Sequence, residues 1–256
     1  VDVRRTMRDT RLLYMRHLRA TLRTRVAVVF GVLQPLLYLL LFGPLLTRLG
    51  GVRGFGDHDA WQVFVPGVLV QLVLFSAGYV GFGLIADLRA GVVDRLRVTP
   101  VSRVALLLGL VLRDTTVLAV QAVLLLAAGL ALGLRAPAAG LVIGLVLVLL
   151  LAVGIASLSY LLALVTRRED GFAPLLGAVV LPLMLLSGML LPMSMAPGWL
   201  DAVSHFTPFR YVVDAVRAAF VGDYATATVV EGAVVTVVLV VASVTFGVRR
   251  FLRENA

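Results

Sequence analysis

The sequence predicts an all-α polytopic membrane protein: six transmembrane helices, an interfacial amphipathic helix before them, and short helices ahead of the last one. Three observations carry that prediction. Of the 256 residues, 61% are hydrophobic and 14% charged, with a mean hydropathy of +1.03, whereas about 25% of an ordinary soluble domain is charged. A water-soluble fold of this size could not hide so much apolar surface. Uncharged runs of about 20 residues, enough to cross about 30 Å of hydrocarbon, recur along the whole chain. They are too long, and too rich in Leu, Ala and Gly, for the alternating strands of about ten residues found in membrane barrels.

Residues 3–25 are too charged to be a span. On a helix, Val3, Met7, Tyr14, Met15, Leu18, Leu22 and Val26 share one broad face, and Arg5, Arg16, Arg19 and Arg23 another. The pattern suits a helix lying in the membrane interface. Two readings stand side by side: Arg11, Arg16, Arg19 and Arg23 contact headgroups or a soluble partner, or the segment is only an orientation signal. Six runs then qualify as spans, at 26–46, 63–86, 115–134, 139–165, 172–192 and 228–248.

Between the second and third spans, residues 87–114 read DLRAGVVDRLRVTPVSRVALLLGLVLRD. Val92, Val93 and Leu96 can share a helical face, with Asp94, Arg95 and Arg97 around them. Thr99-Pro100 reads as a helix restart, with Thr as N-cap and Pro at the first helical position. The result is a short helix, a sharp corner and a new helix running into the third span. The bland alternative is a solvated basic loop.

Residues 188–227 mix apolar anchors with Pro192, Pro197 and Pro208, and predict short helices over 197–204 and 208–220. Trp199, Phe206, Phe209 and Tyr211 suit the outer membrane interface. Irregular backbone at that depth must be buried in protein or line a wet cavity. This makes Pro192, Trp199, Phe206, Pro208 and Phe209 a candidate outer gate, with interfacial anchoring as the alternative.

Orientation follows from the arginines, which are the only basic side chains except three histidines, since lysine is absent. The loops of one side carry 18 of them and those of the other side 5. An excess of basic residues marks the cytoplasmic side, so both termini are expected there, in a multi-pass protein of the cell's inner membrane. The net charge of +9 is thereby explained by topology, and no nucleic-acid partner is expected. No cleavable signal peptide is visible in the first 25 residues.

Within the spans, Gln34, Gln71, Gln121, Ser157 and Ser159 are expected to hydrogen-bond between helices, while Glu231 lies near the outer start of the last span. Arg113-Asp114 is either a buried pair or the cytoplasmic lip of the third span. The lip is preferred, because residues 115–134 already supply a full crossing.

Enzyme chemistry finds little support. His17, His58 and His205 lie in separate segments without metal-ligand spacing, and no cysteine exists to hold a metal as thiolate. A Ser187/His205 dyad lacks a nucleophile motif. No catalytic or metal site is expected. Without lysine there is also no G-x-x-x-x-G-K-[ST] loop to hold nucleotide phosphates. If ATP drives this protein, it is hydrolysed on another polypeptide.

The segment GVVDRLRVTPVSR at 91–103 makes a family resemblance specific. Together with the amphipathic start, six spans and a proline-broken outer segment, it resembles the type-2 ATP-binding-cassette (ABC) export permeases, daunorubicin-resistance branch. Gly91, Asp94, Arg95, Leu96, Arg97, Thr99 and Pro100 occupy that family's pattern, followed by Ser102 and Arg103. Asp94 stands where the family more often has Glu, and the shorter carboxylate reaches less far. The resemblance implies a single transmembrane permease domain over 1–256. It further implies that Gly91, Val92, Asp94, Arg95, Leu96, Arg97, Thr99 and Pro100 form a coupling helix that docks in an ABC ATPase. Two ATPase copies, carrying the ATP and Mg, would serve a permease homodimer. The implied cargo is an amphiphilic drug, lipid or glycolipid. The competing class is a stand-alone secondary carrier or channel, against which stand the lack of an internal repeat and of a titratable residue near a span centre.

Overall fold

The fold comes from a computed structural model, which describes residues 3–23, 25–48, 59–92, 103–190 and 192–253. In chain order the helices are α1 (Val3–Arg23), α2 (Arg25–Arg48), α3 (Ala60–Gly78), α4 (Gly81–Arg89), α5 (Arg103–Leu132), α6 (Ala138–Thr166), α7 (Glu169–Leu186), α8 (Gly198–Ser204), α9 (Pro208–Val221) and α10 (Ala227–Arg253), with a 3-10 turn at Met193–Met195 before α8. Five stretches of the described residues are long and apolar enough to cross a membrane: 60–89, 104–132, 138–166, 169–186 and 227–250. The 24-residue α2, apolar from Gly31 to Leu45, supplies the sixth apolar helix.

Helix α3 is the axis of the bundle. Val65, Val68, Leu69 and Val70 are fully buried on it, because α2, α5, α6, α7 and α9 all pack around it. Close packing among membrane helices relies on small residues, since lipid is as apolar as the side chains themselves. A Cβ added to Gly67 would strike the Met189 carbonyl, and one at Gly140 the Ala219 carbonyl, so backbone meets backbone at both places. At its start α3 is tied to the connection between α5 and α6: Gln62 Nε2 donates to the Arg135 carbonyl at 2.6 Å.

One expected boundary is corrected. The third span is not confined to 115–134, because the apolar stretch of α5 runs over 104–132. Residues 104–112 are apolar enough to continue inward, and Arg113-Asp114 pair with each other instead of marking an edge. The second span, expected over 63–86, lies within the apolar stretch 60–89. It breaks at Tyr79–Val80, and Ser159 on α6 bridges the break. Its hydroxyl donates to the Gly78 carbonyl at 2.5 Å and accepts the Gly81 N–H at 2.9 Å. Backbone groups freed inside a membrane need such a substitute partner. The rings of Phe75, Tyr79 and Phe82 stack across the same point, and Phe82 meets Phe172 of α7 edge-on at 4.8 Å.

Candidate functional site

Three regions carry polar chemistry: the α1 end of the bundle, its opposite end, and the packing between α2 and α3. At the α1 end, the sequence-predicted coupling segment is described only at its start. Gly91 follows α4 with φ +66°, a left-handed value that glycine adopts without penalty. Val92 is half-buried. Asp94, Arg95, Leu96, Arg97, Thr99 and Pro100 lie outside the described residues. The helix that follows, α5, does run unbroken into the third span, as the restart predicts.

Helix α1 packs along the first half of α5. Met7 and Met15 are exposed, while Asp9, Thr10 and Leu13 are buried. The reason is a notch: Gly109 of α5 has no side chain, so Leu13 and the backbone at Thr10 and Tyr14 fit against it. Thr10 can be buried because its hydroxyl donates to the Thr6 carbonyl at 2.8 Å. The Tyr14 phenol lies 3.2 Å from the Thr116 hydroxyl and fixes the register of the two helices. Arg11, Arg16 and Arg19 stay exposed on α1, free to meet headgroups or a partner. The Arg23 side chain lies outside the described residues. His17 is half-buried, and burial together with the Arg113 charge lowers its pKa below the usual value, with Asp87 opposing.

Just beyond, α5 and α6 share a polar knot. Arg113 Nη2 lies 2.7 Å from Asp114 Oδ1 and donates to the Tyr160 hydroxyl at 3.2 Å, while that hydroxyl donates to Asp114 Oδ2. Asp114 and Tyr160 are buried. The pair sits ten residues inside α5, about 15 Å from its start, so the reading of it as a lip is replaced by the buried pair. Next to it, Arg89 at the end of α4 meets Glu169 at the start of α7 at 3.0 Å, both well exposed.

At the opposite end, α8 and α9 form where the prolines predict, within one residue. Thr207 does precede Pro208 at the first helical position, but its hydroxyl turns back to the Ser204 carbonyl (2.6 Å) instead of capping α9. Trp199 and Phe206 are 70% and 89% exposed, whereas Phe209 is buried in the core. Pro192 and Pro208 are half-buried. The five candidate gate residues thus divide into two exposed, two half-buried and one buried.

The sequence does not single out the arginines here. Arg210 reaches Asp201 Oδ1 at 2.6 Å and the Asp201 carbonyl at 2.9 Å, and also donates to the Ser204 hydroxyl. Arg217, about two turns further along α9, donates from Nε to the Val63 carbonyl (3.0 Å) and from Nη2 to the Gly188 carbonyl (2.7 Å). Asp214 lies between the two, 3.6 Å from Arg210 and 3.5 Å from Arg217. Loss of water pulls the Arg217 pKa down to about 10, with Asp214 opposing, so its guanidinium keeps its charge at neutral pH. The arginine ties α9 to α3 and to the non-helical turn after α7. The Ser187/His205 dyad is not assembled: Ser187 donates to the Met184 carbonyl, and His205 Nδ1 lies against the Asp201 carbonyl.

Of the polar span residues, Ser159 bridges helices as expected, but Ser157 bonds within its own helix, to Val153. Gln71 is buried between α2 and α3, with its Oε1 unpaired. Gln34 and Glu231 are exposed. Among the described residues, no group of three His, Cys, Asp or Glu could hold a metal ion.

Comparison with known proteins agrees with the architecture. The chain is 30% identical over 194 residues to the daunorubicin resistance ABC transporter permease protein DrrB1 of Streptomyces coeruleorubidus, covering 75% of this chain and 68% of that protein. It is 29% identical over 197 residues to the putative transport permease ycf38 of Cyanophora paradoxa (76% and 68%), and 27% identical over 200 residues to the ycf38 protein of Pyropia yezoensis (76% and 68%). The profile of the ABC-2 type transporters matches residues 8–221, from α1 through α9. With its bundle of membrane-crossing helices, the chain belongs to the ABC-2 type transporter family, as a multi-pass transmembrane permease subunit.

Proposed function

We propose that this chain is the membrane subunit of an ATP-driven exporter that carries an amphiphilic drug, lipid or glycolipid out of the cytoplasm. Hydrolysis takes place on a separate ABC ATPase, present in two copies with its ATP and Mg, beneath a permease homodimer. Both termini lie in the cytoplasm, under the cell's inner membrane. The observation that carries this reading is the shared packing of α1 and α5 at one end of the bundle. The 91–103 segment leads directly into α5, and α1 is held on that same helix by Leu13 at Gly109 and by Tyr14 at Thr116. A push on residues 92–100 would therefore reach α5 and α1 together, and the Arg113–Asp114–Tyr160 knot would pass it to α6. In that docking, Asp94, Arg95 and Arg97 supply charged contacts and Leu96 the apolar knob, with Arg11, Arg16, Arg19 and Arg23 as a second contact surface.

The absence of lysine supports a separate ATPase, since no phosphate-binding loop fits within these residues. An amphiphilic cargo is supported by the similarity to a permease whose name records daunorubicin resistance. In this reading the outer segment, with Pro192, Trp199, Phe206, Pro208 and Phe209, is the exit gate, and the exposure of Trp199 and Phe206 supports it. The test is Leu96→Asp or Arg97→Glu in the complex with the ATPase that co-purifies with the chain. Transport should be lost while ATP hydrolysis and membrane insertion persist, and the isolated chain should hydrolyse no ATP. Undiminished transport by both variants would overturn the assignment.

A further inference from the structure

Helices α2 and α3 pack together over most of their length but leave a cavity of about 300 Å³ between Gly31 and Pro35 on one helix and Gln71 and Tyr79 on the other. That is the lower end of the range for small-molecule pockets, about 300–1,000 Å³. Its chemistry is not that of a simple lipid crevice. Gln71 is 3% exposed, it lines the cavity, and its Oε1 has no hydrogen-bond partner. That acceptor therefore faces a space where hydrocarbon could not satisfy it. The far wall is aromatic: the Phe75 and Tyr79 rings stack with centroids 6.3 Å apart and planes within 5°. The mouth opens sideways past Tyr79, which is 40% exposed. It lies in the α1 half of the bundle, since Gly31 is six residues into α2 and Tyr79 stands at the break before α4.

An acyl chain would leave that acceptor unpaired. A flat or ring-shaped molecule with a hydrogen-bond donor would satisfy it and cover the aromatic wall. We propose that this cavity binds such an amphiphile: its hydroxyl or amine N–H meets Gln71 Oε1, and its ring lies on Phe75 and Tyr79. The role of the site as a first stop for cargo rests on the exporter reading, whereas binding itself needs neither nucleotide nor ATPase.

The probe is N-phenyl-1-naphthylamine, two flat ring systems joined by one N–H, and its N-methylated analogue, which has no donor. The full chain in lipid nanodiscs, without ATPase, is titrated by energy transfer from its two tryptophans. Saturable binding is expected. Gln71→Leu removes the acceptor at similar volume and leaves no buried polar group unpaired, so the chain should fold normally. It should weaken the N–H probe about tenfold, and N-methylation should weaken binding to the parent chain about as much. The two changes together should cost little more than either alone. The chain has no cysteine, so Ser76→Cys places a single thiol in the cavity, and Val142→Cys places one on an exposed face of α6. The probe should slow labelling of the first thiol and not of the second. The proposal is overturned if the parent chain shows no saturable binding, if Gln71→Leu binds the N–H probe as the parent does, or if both thiols are protected equally. A failure of the exporter reading would appear instead as transport insensitive to Leu96→Asp, leaving these binding results in place.

Discussion

Two buried arginines hold the two ends of this bundle in opposite ways. Arg113 lies within an unbroken helix, where every nearby carbonyl already has its helical donor, so side chains on α5 and α6 neutralise it: Asp114 and Tyr160. Arg217 lies where the chain after α7 leaves helical geometry, at Gly188 with φ +69°. There it takes up main-chain carbonyls, at Val63, Gly188 and Met189, with Asp214 as its counter-charge. Where backbone is continuous, a buried cation needs an anion beside it. Where backbone is broken, the cation itself becomes the missing hydrogen-bond donor. The first arrangement joins two rods that can move together, and the second pins a fold-back segment in place.

That contrast can be broken at either end. The largest loss is expected from Arg217→Met, which strips the donors from three carbonyls and leaves Asp214 with Arg210 alone. It should cost about 4 kcal/mol, read as a fall in the thermal unfolding midpoint in detergent. A loss of less than about 1 kcal/mol would mean that water replaces the guanidinium. At the other end, Asp114→Ala strands the Arg113 charge and should cost about 3 kcal/mol, yet Arg113→Leu combined with Asp114→Leu should lie within about 1 kcal/mol of the parent. If the double variant is as unstable as the single one, the knot contributes packing that apolar side chains cannot supply.

The smallest effect sharpens the account of how α1 is held. His17 has a folded-state pKa below its unfolded value, so the stability it contributes is fully present above about pH 6.5 and is lost as pH falls through the lower folded value. Acidification from pH 7.5 to pH 5 should therefore lower the hydrogen-exchange protection of α1, corrected for the intrinsic pH dependence of exchange, by a few-fold, and His17→Gln should remove that loss. An equal loss in the variant would place the pH sensitivity elsewhere.

Much of the bundle was legible in the sequence. Apolar runs placed five crossings closely, and Pro197 and Thr207-Pro208 placed α8 and α9 to within a residue, because span length and helix capping are set by neighbours in the chain. The inner boundary of the third span was not legible, although the restart at Thr99-Pro100 did announce a helix running unbroken into it. A charged pair looks like an edge until its third partner is known, and Tyr160 stands 46 residues beyond Asp114. The docking of α1 on α5 was not legible for a similar reason: its seat is a gap left by Gly109, far along the chain. The count of arginines by side also treated Arg210 and Arg217 as topological markers, although both turn inward to hold the chain.

By itself the sequence determined that the chain lives in a membrane, roughly where it crosses, and that it holds no nucleotide loop, since hydropathy and residue inventory need no partner to act. Only the tertiary structure decided which polar groups meet: Arg217 with a carbonyl 154 residues away, Ser159 with the break in α3–α4, and Gln71 with a cavity in which its Oε1 is unpaired. Buried polar groups must be satisfied wherever packing brings a donor and an acceptor together, and packing is a property of neighbouring helices that no single stretch of chain encodes.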